Sequence, residues 1–250
     1  MAALNIATGL AELGVEVHVV ATRPPPRHEV FLERARRLGV LVHIESRNPP
    51  GVLYWAFLAL LAFKYVARLK PHVVHPHTPR TAALLLPPSI LIGALRALTV
   101  EGDPVFESSR LGCLAKGLAL TTWSAAKRLA HVLLPCSAWL ANVLEQRHPE
   151  LKGRLRPIPN PVDYERFSKA DGSKLRERLG LRGLTVFTAA RLDWVKGVDV
   201  LIRAAADVIT AGVVAWFIIA GEGSLRSELE ALAHALGIEG FVRLLGFRDD

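Results

Sequence analysis

Stretches with apolar residues at helical spacing alternate along most of this chain with short, mostly apolar runs bounded by turn residues. That alternation restricts the fold more than any other feature. Parallel strands need long crossover connections and are buried on both faces, so it predicts a parallel sheet with crossover helices. Residues 2–13 predict the first helix, with Gly14 at its C-terminal cap, and residues 15–21 the strand that follows. The pattern repeats as helix 30–38 and strand 40–45, helix 52–69 and extended 72–77, then helix 81–96, broken by Pro87 and Pro88, and extended 98–101. Helix 111–129 and strand 131–135 follow, and Ser137 is placed to cap a helix over 138–147. These elements read as one doubly wound α/β domain.

Between 148 and 167, Pro149, Pro157, Pro159 and Pro161 interrupt any regular element, and the segment reads as an interdomain connection. A second series then begins: strand 184–190, helix 198–209, strand 213–220, helix 225–236 and strand 241–245. The expectation is two Rossmann-like domains, 1–153 and 154–250, facing one another across a cleft. Ligands in such sheets bind at the carboxyl ends of strands.

Composition narrows the function. With 51% apolar residues the chain can bury a substantial core, which excludes disorder. Cys113 and Cys136 have no partner cysteines at ligand spacing, so neither a disulfide framework nor a structural zinc site is expected, and a reducing, cytoplasmic setting fits. The net charge is +8, and residues 1–150 hold 16 Lys/Arg against 10 Asp/Glu, so the excess lies in the first part. No RNA-binding aromatic signature or zinc-finger spacing accompanies it, so nucleic acid is not an expected partner. Residues 52–63 form an unbroken apolar run followed by Lys64, Arg68 and Lys70. The run is shorter than the roughly 20 residues that span a bilayer. Two readings stay open: a helix buried on a sheet, or one that touches a membrane surface through its basic end.

The most informative local arrangement is Arg191-Leu-Asp-Trp-Val-Lys196-Gly197, after a strand and before a helix. Such a loop offers backbone N–H groups and the positive end of the helix dipole. Arg191 and Lys196 add two full charges, an arrangement suited to a diphosphate, first as substrate and then as leaving group. Gly221-Glu222-Gly223 follows the next strand. Its glycines either let a ligand approach the backbone or make a tight turn before the helix that starts near Ser224.

Four segments in order are similar to glycosyltransferase family 4: Ile158-Pro-Asn-Pro-Val-Asp-Tyr-Glu-Arg-Phe167, Ala190-Arg-Leu-Asp-Trp-Val-Lys-Gly197, Ile219-Ala-Gly-Glu-Gly-Ser-Leu-Arg226 and Leu244-Leu-Gly-Phe247. Residues 5–20 and His72-Val-Val-His-Pro-His-Thr-Pro-Arg80 resemble N-terminal elements of the same family, so the resemblance covers the whole chain. It implies a GT-B enzyme that moves a sugar from a nucleoside diphosphate to an acceptor with retention of configuration. No cofactor and no bound metal are implied, since Arg191 and Lys196 match the pair that neutralises the donor diphosphate. Gly221, Glu222 and Gly223 would line the donor cleft, and Gly246 and Phe247 would lie beside the nucleobase. His77 would stand on the acceptor side. The implied partners are a nucleotide sugar and an acceptor sugar or lipid-linked acceptor, in cell-envelope or polysaccharide synthesis. A peripheral position at the inner face of the plasma membrane is the accompanying option.

Two positions depart from a simple carry-over. His75 and His77 are two apart on an extended segment and point the same way, which suggests either a metal pair or the family motif. Glu101 stands where the family commonly has a histidine near the transferred sugar. Its carboxylate either supports an oxocarbenium-like transition state or hydrogen-bonds its loop. Residues 1–250 also lack the family's opening strand with its glycine-rich loop and its Glu-x7-Glu motif. A gap in the first core and an unpaired apolar edge at strand 184–190 are therefore expected. The competing functional reading is a non-catalytic nucleotide-sugar-binding protein, or an inactive fragment.

Overall fold

The computed structural model describes residues 2–22, 29–45, 52–108 and 112–248. The chain divides into two units, Met1–Tyr164 and Glu165–Asp250.

In the first unit the order is α1 (Ala2–Glu12), β1 (His18–Thr22), α2 (Glu29–Arg37), β2 (Leu41–Glu45), α3 (Val52–Leu69), β3 (Val73–Val74), α4 (Pro79–Leu91), β4 (Leu95–Val100), α5 (Pro104–Ser108), α6 (Cys113–Leu129), β5 (Val132–Pro135) and α7 (Ala138–Arg147). All strand pairs are parallel, as the alternation predicts, but the strands fall into two sheets, β1-β2 and β3-β4-β5. Each sheet has its own core. A small cluster joins Ala7, Ala35 and Val40 to Val17, Val19 and Val42, while the larger one packs Leu86, Leu98, Trp123, Leu133 and Leu144. This division departs from the one continuous doubly wound sheet that the sequence predicts.

Two local differences have plain causes. The helix over Pro79–Leu91 runs through Pro87 and Pro88 without a break. Each proline costs a helix interior about 3 kcal/mol, and burial of Ala82, Leu86 and Pro88 on this helix offsets that. The strand at 72–77 shrinks to Val73–Val74 because Pro76 has no N–H to give, although its carbonyl still accepts from the Thr99 N–H at 3.1 Å.

Helix α4 starts with a reciprocal cap. Thr78 Oγ1 accepts from the Thr81 N–H, and Thr81 Oγ1 lies 3.2 Å from the Thr78 N–H, closing the box. Ser137 caps α7 as expected, accepting from the Leu140 N–H at 3.1 Å. Thr78→Ala is expected to lower stability by about 1 kcal/mol in urea unfolding, with an unchanged m-value.

The two units meet after Tyr164. The segment past α7 first runs beside β5: the Leu133 and Ile158 N–H groups donate to Arg154 and Pro135 carbonyls, and the Arg156 N–H to Leu133. Asn5 then donates to the Pro161 carbonyl at 3.0 Å, and Arg34 pairs with Asp163. The proline-rich connection is thus tied to the first unit. A short helix, α8 (Tyr164–Ser168), spans the division.

The second unit holds α9 (Ser173–Arg178), β6 (Leu184–Ala189), α10 (Val198–Thr210), β7 (Ala215–Ala220), α11 (Arg226–Ala235) and β8 (Val242–Gly246). Its parallel sheet has the order β6-β7-β8, with Leu192, Ile202, Phe217, Ile219 and Leu229 in the core. β6 lies at one edge of the sheet and exposes Leu184 and Phe187, the apolar edge that the sequence predicts.

Candidate functional site

In the second unit the carboxyl ends of the three strands are bound together through backbone. The Ala190 N–H donates to the Ala220 carbonyl at 2.9 Å and the Leu192 N–H to the Glu222 carbonyl at 2.9 Å. The Leu225 N–H donates back to Leu192 at 3.1 Å, and the Gly221 N–H to Gly246 at 2.7 Å. This contact sets the residue types. A Cβ on Gly221 would stand 1.8 Å from the Ala190 carbonyl oxygen, and one on Gly223 2.2 Å from that of Leu192. Gly221 also has φ +145, which side chains rarely adopt. The two glycines therefore make room for the neighbouring loop of the protein itself.

The loop so held carries the two cations. Arg191 follows directly on Ala190, and its side chain is 76% exposed with one guanidinium nitrogen 3.0 Å from Asp193 Oδ2. The other oxygen of Asp193 is buried without a hydrogen-bond partner among the described residues. Residues Trp194–Lys196 form one turn of 3-10 helix that ends at Gly197, whose φ of +61 is the left-handed conformation glycine adopts at least cost. Gly197 in turn opens α10, and no side chain caps that helix. First-turn N–H groups lack intrahelical acceptors, so the start of α10 adds donors and partial positive charge beside Arg191 and Lys196 on the same loop.

Arg226 ties the remaining predicted residues together. Its guanidinium meets Glu222 Oε1 at 3.2 Å, Glu230 Oε1 at 3.0 Å and the Leu244 carbonyl at 3.0 Å. Gly246, with φ +76, lies under Glu222, whose Oε1 would be 2.8 Å from an added Cβ. Phe247 follows, part-exposed. In the sequence Arg226 stands at the end of the motif that begins at Ile219. Its spacing of four from both Glu222 and Glu230 was the signal that a carboxylate pair holds it.

In the first unit, His75, His77, Thr99, Glu101 and Cys136 gather at the carboxyl ends of β3, β4 and β5. The His75 and His77 rings stack with centroids 4.5 Å apart, and His75 Nε2 lies 2.8 Å from Thr99 Oγ1. Burial, and then the neighbouring His77, push the His75 pKa down to about 4; burial also lowers that of His77. His77 Nδ1 is buried with no partner among the described residues. No group of three His, Cys, Asp or Glu side chains able to hold a metal occurs among the described residues.

Glu101 itself is exposed, and its carboxylate makes no hydrogen bond to a described residue; its backbone carbonyl accepts from Cys136 Sγ at 3.3 Å. The loop is held by Asp103, which accepts from the Val105 N–H at 3.0 Å and pairs with Arg147. In the sequence Asp103 is followed by Pro104 at a helix start, which is a capping signal.

A histidine buried in its neutral form has a testable consequence. Its folded pKa lies below the unfolded value of about 6.5, so between those values the unfolded chain binds a proton that the folded one does not. Stability contributed by His75 is full above about pH 6.5 and falls as pH drops towards about 4. His75→Gln should flatten the acid side of a stability–pH curve, and an NMR titration should find the His75 ring still neutral at pH values where exposed imidazoles are charged.

Comparison with known proteins decides the family. The profile described as Glycosyltransferase Family 4 matches residues 1–166, and that described as Glycosyl transferases group 1 matches residues 174–250. The chain belongs to glycosyltransferase family 4. Among curated relatives, a D-inositol 3-phosphate glycosyltransferase of Acidothermus cellulolyticus is 26% identical over 86% of this chain and 47% of its own length. An alpha-D-kanosaminyltransferase of Streptomyces kanamyceticus is 38% identical over 32% of this chain and 21% of its own. The chain thus spans about half or less of the length of the curated relatives it matches. Anabaena HepE, solved with UDP and glucose, superposes at TM-score 0.73 and 20% identity, covering 99% of this chain and 66% of HepE. WaaG, a glycosyltransferase of lipopolysaccharide biosynthesis, superposes at TM-score 0.64 and 14% identity, covering 100% of this chain and 66% of WaaG. These likenesses give a GT-B fold with Rossmann-like α/β units, in agreement with the sequence expectation.

Proposed function

We propose that this family 4 chain carries the diphosphate-binding part of a glycosyltransferase that takes its sugar from a nucleoside diphosphate donor. The observation that carries the reading is the loop from Arg191 to Gly197. Two cations there stand on one strand-to-helix connection, above a helix start that no side chain caps. Breaking the bond between the sugar C1 and the diphosphate oxygen leaves an extra negative charge on the diphosphate. Cations held in place before the reaction stabilise that charge more in the transition state than in the ground state. Arg191 and Lys196 supply what a divalent metal would otherwise supply, so the transfer is proposed to need none.

The acceptor hydroxyl attacks C1 from the face the diphosphate leaves, and its proton passes to the departing phosphate oxygen, giving retention without a protein base. Gly221 to Gly223 keep the loop in position, Glu222 faces the donor, and Gly246 and Phe247 lie towards the base. His77 and Glu101 belong to the acceptor and transferred-sugar side. The acceptor is a sugar or lipid-linked sugar of cell-envelope or polysaccharide synthesis, used in the cytoplasm. HepE, with UDP and glucose bound, supports the donor class.

The test is calorimetric binding of nucleoside diphosphate to the chain without added metal. Saturable binding, much weaker for the corresponding nucleoside, supports the reading. Equal affinity for the two would sink it.

A further inference from the structure

Helix α3 buries one side only. Leu61, Ala62, Tyr65 and Val66 are buried, whereas Leu53 is 67% exposed, Leu60 71% and Phe63 52%. With the exposed Ala56 and Ala67 they fall at 53, 56, 60, 63 and 67, a continuous apolar stripe along the outside of the helix. Trp55 borders it, part-exposed. A folded protein rarely leaves such a stripe in water without a use for it.

That spacing suits either a partner helix or a lipid surface, and charge distinguishes them. Between Glu45 and Glu101 the sequence has no acidic residue at all, while it has Arg47, Lys64, Arg68, Lys70, Arg80 and Arg96. On α3, Lys64 and Arg68 flank the stripe at its C-terminal end, and Lys70 follows. Lys64 pairs with Glu45 at 3.1 Å, whereas Arg68 and Lys70 show no ion pair with a described residue. A second copy of α3 would bring only like charge to this surface and no carboxylate to answer it. Anionic headgroups answer it directly, with the apolar stripe entering the acyl boundary. Among the described residues no helix is long and apolar enough to cross a membrane, so the helix would lie in the surface. Helix α4, which packs against α3, ends in Ile90 and Leu91, both exposed.

We propose that the outward face of α3 docks the protein on an anionic lipid bilayer, with Leu53, Leu60 and Phe63 inserted and Arg68 and Lys70 on the headgroups. The inference is independent of the donor site, because it predicts binding to lipid in the absence of any nucleotide or transfer.

Flotation of the full chain with vesicles tests it, using phosphatidylcholine alone or mixed with phosphatidylglycerol. Binding to the mixed vesicles, lost on adding salt, is expected. Arg68→Ala should lower that binding about fivefold, and Leu60→Ser with Phe63→Ser by about tenfold or more. Far-ultraviolet circular dichroism checks that the exposed substitutions leave the fold intact, and Lys70→Ala serves if the serine pair does not fold. Equal binding to both vesicle types, or binding that survives all of these substitutions, overturns the proposal. So does a dimer that the same substitutions dissociate, which would assign the face to a second copy.

Discussion

Arg191→Ala and Lys196→Ala are each expected to weaken nucleoside diphosphate binding by about tenfold to a hundredfold, the loss of one charge-assisted contact. The thermal midpoint should not move. Arg191 is 76% exposed and, among the described residues, pairs only with Asp193 across 3.0 Å, and an exposed pair of that kind contributes about 0–1 kcal/mol. The same weakness means that Arg191 gives up little when its guanidinium turns from Asp193 to a phosphate. Arg191→Lys keeps the charge but not the planar fork, so it should recover only part of the affinity. Binding of the nucleoside without its diphosphate should be unchanged in all three variants. If it falls as much as diphosphate binding does, the loop acts on the base and not on the leaving group. In transfer, where charge on the diphosphate grows, each alanine variant should cost more than it costs in binding, about a hundredfold to a thousandfold in kcat.

How far this could be read from sequence depends on whether the cause was local. Ser137 before an amphipathic run and the apolar run over Val52–Leu69 fixed their helices from nearby residues alone, and both stand as expected. The run of Pro87 and Pro88 misled for the opposite reason. A helix penalty can be seen locally, but the burial of Leu86 and Pro88 that outweighs it depends on distant parts of the chain. Prolines read as a linker, and nothing in 154–158 announces hydrogen bonds to β5. At the site, charge was legible and contact was not. Arg191 and Lys196 declare themselves by type and position, whereas the contact of His75 with Thr99 and the grip of Asp103 on Arg147 arise only when separate segments meet. Exposure is likewise a tertiary property. Residues 52–63 are apolar throughout, and only packing reveals that Leu61 is inside and Leu60 outside.

The glycines of the second unit show the same limit most sharply. Gly221→Ala and Gly223→Ala are each expected to destabilise the chain by about 3 kcal/mol or more, near the upper end for single substitutions. The added methyl would fall 1.8 Å from the Ala190 carbonyl oxygen in one case and 2.2 Å from that of Leu192 in the other. Both are backbone atoms, which no side-chain rotation can move aside. Relief requires the β6–α10 loop to lift off the β7–α11 loop, breaking the Leu192 to Glu222 hydrogen bond and carrying Arg191 with it. Gly237→Ala is the control. Its φ of +68 strains a side chain but nothing lies within 4 Å of the added carbon, so a loss of only about 1–2 kcal/mol is expected there. Urea unfolding of the three variants separates crowding from backbone strain. If Gly221→Ala and Gly223→Ala unfold no more readily than Gly237→Ala, the loops are not packed as described. Should they remain folded yet fail to bind diphosphate, the position of the Arg191 loop, and not its charge alone, sets the affinity.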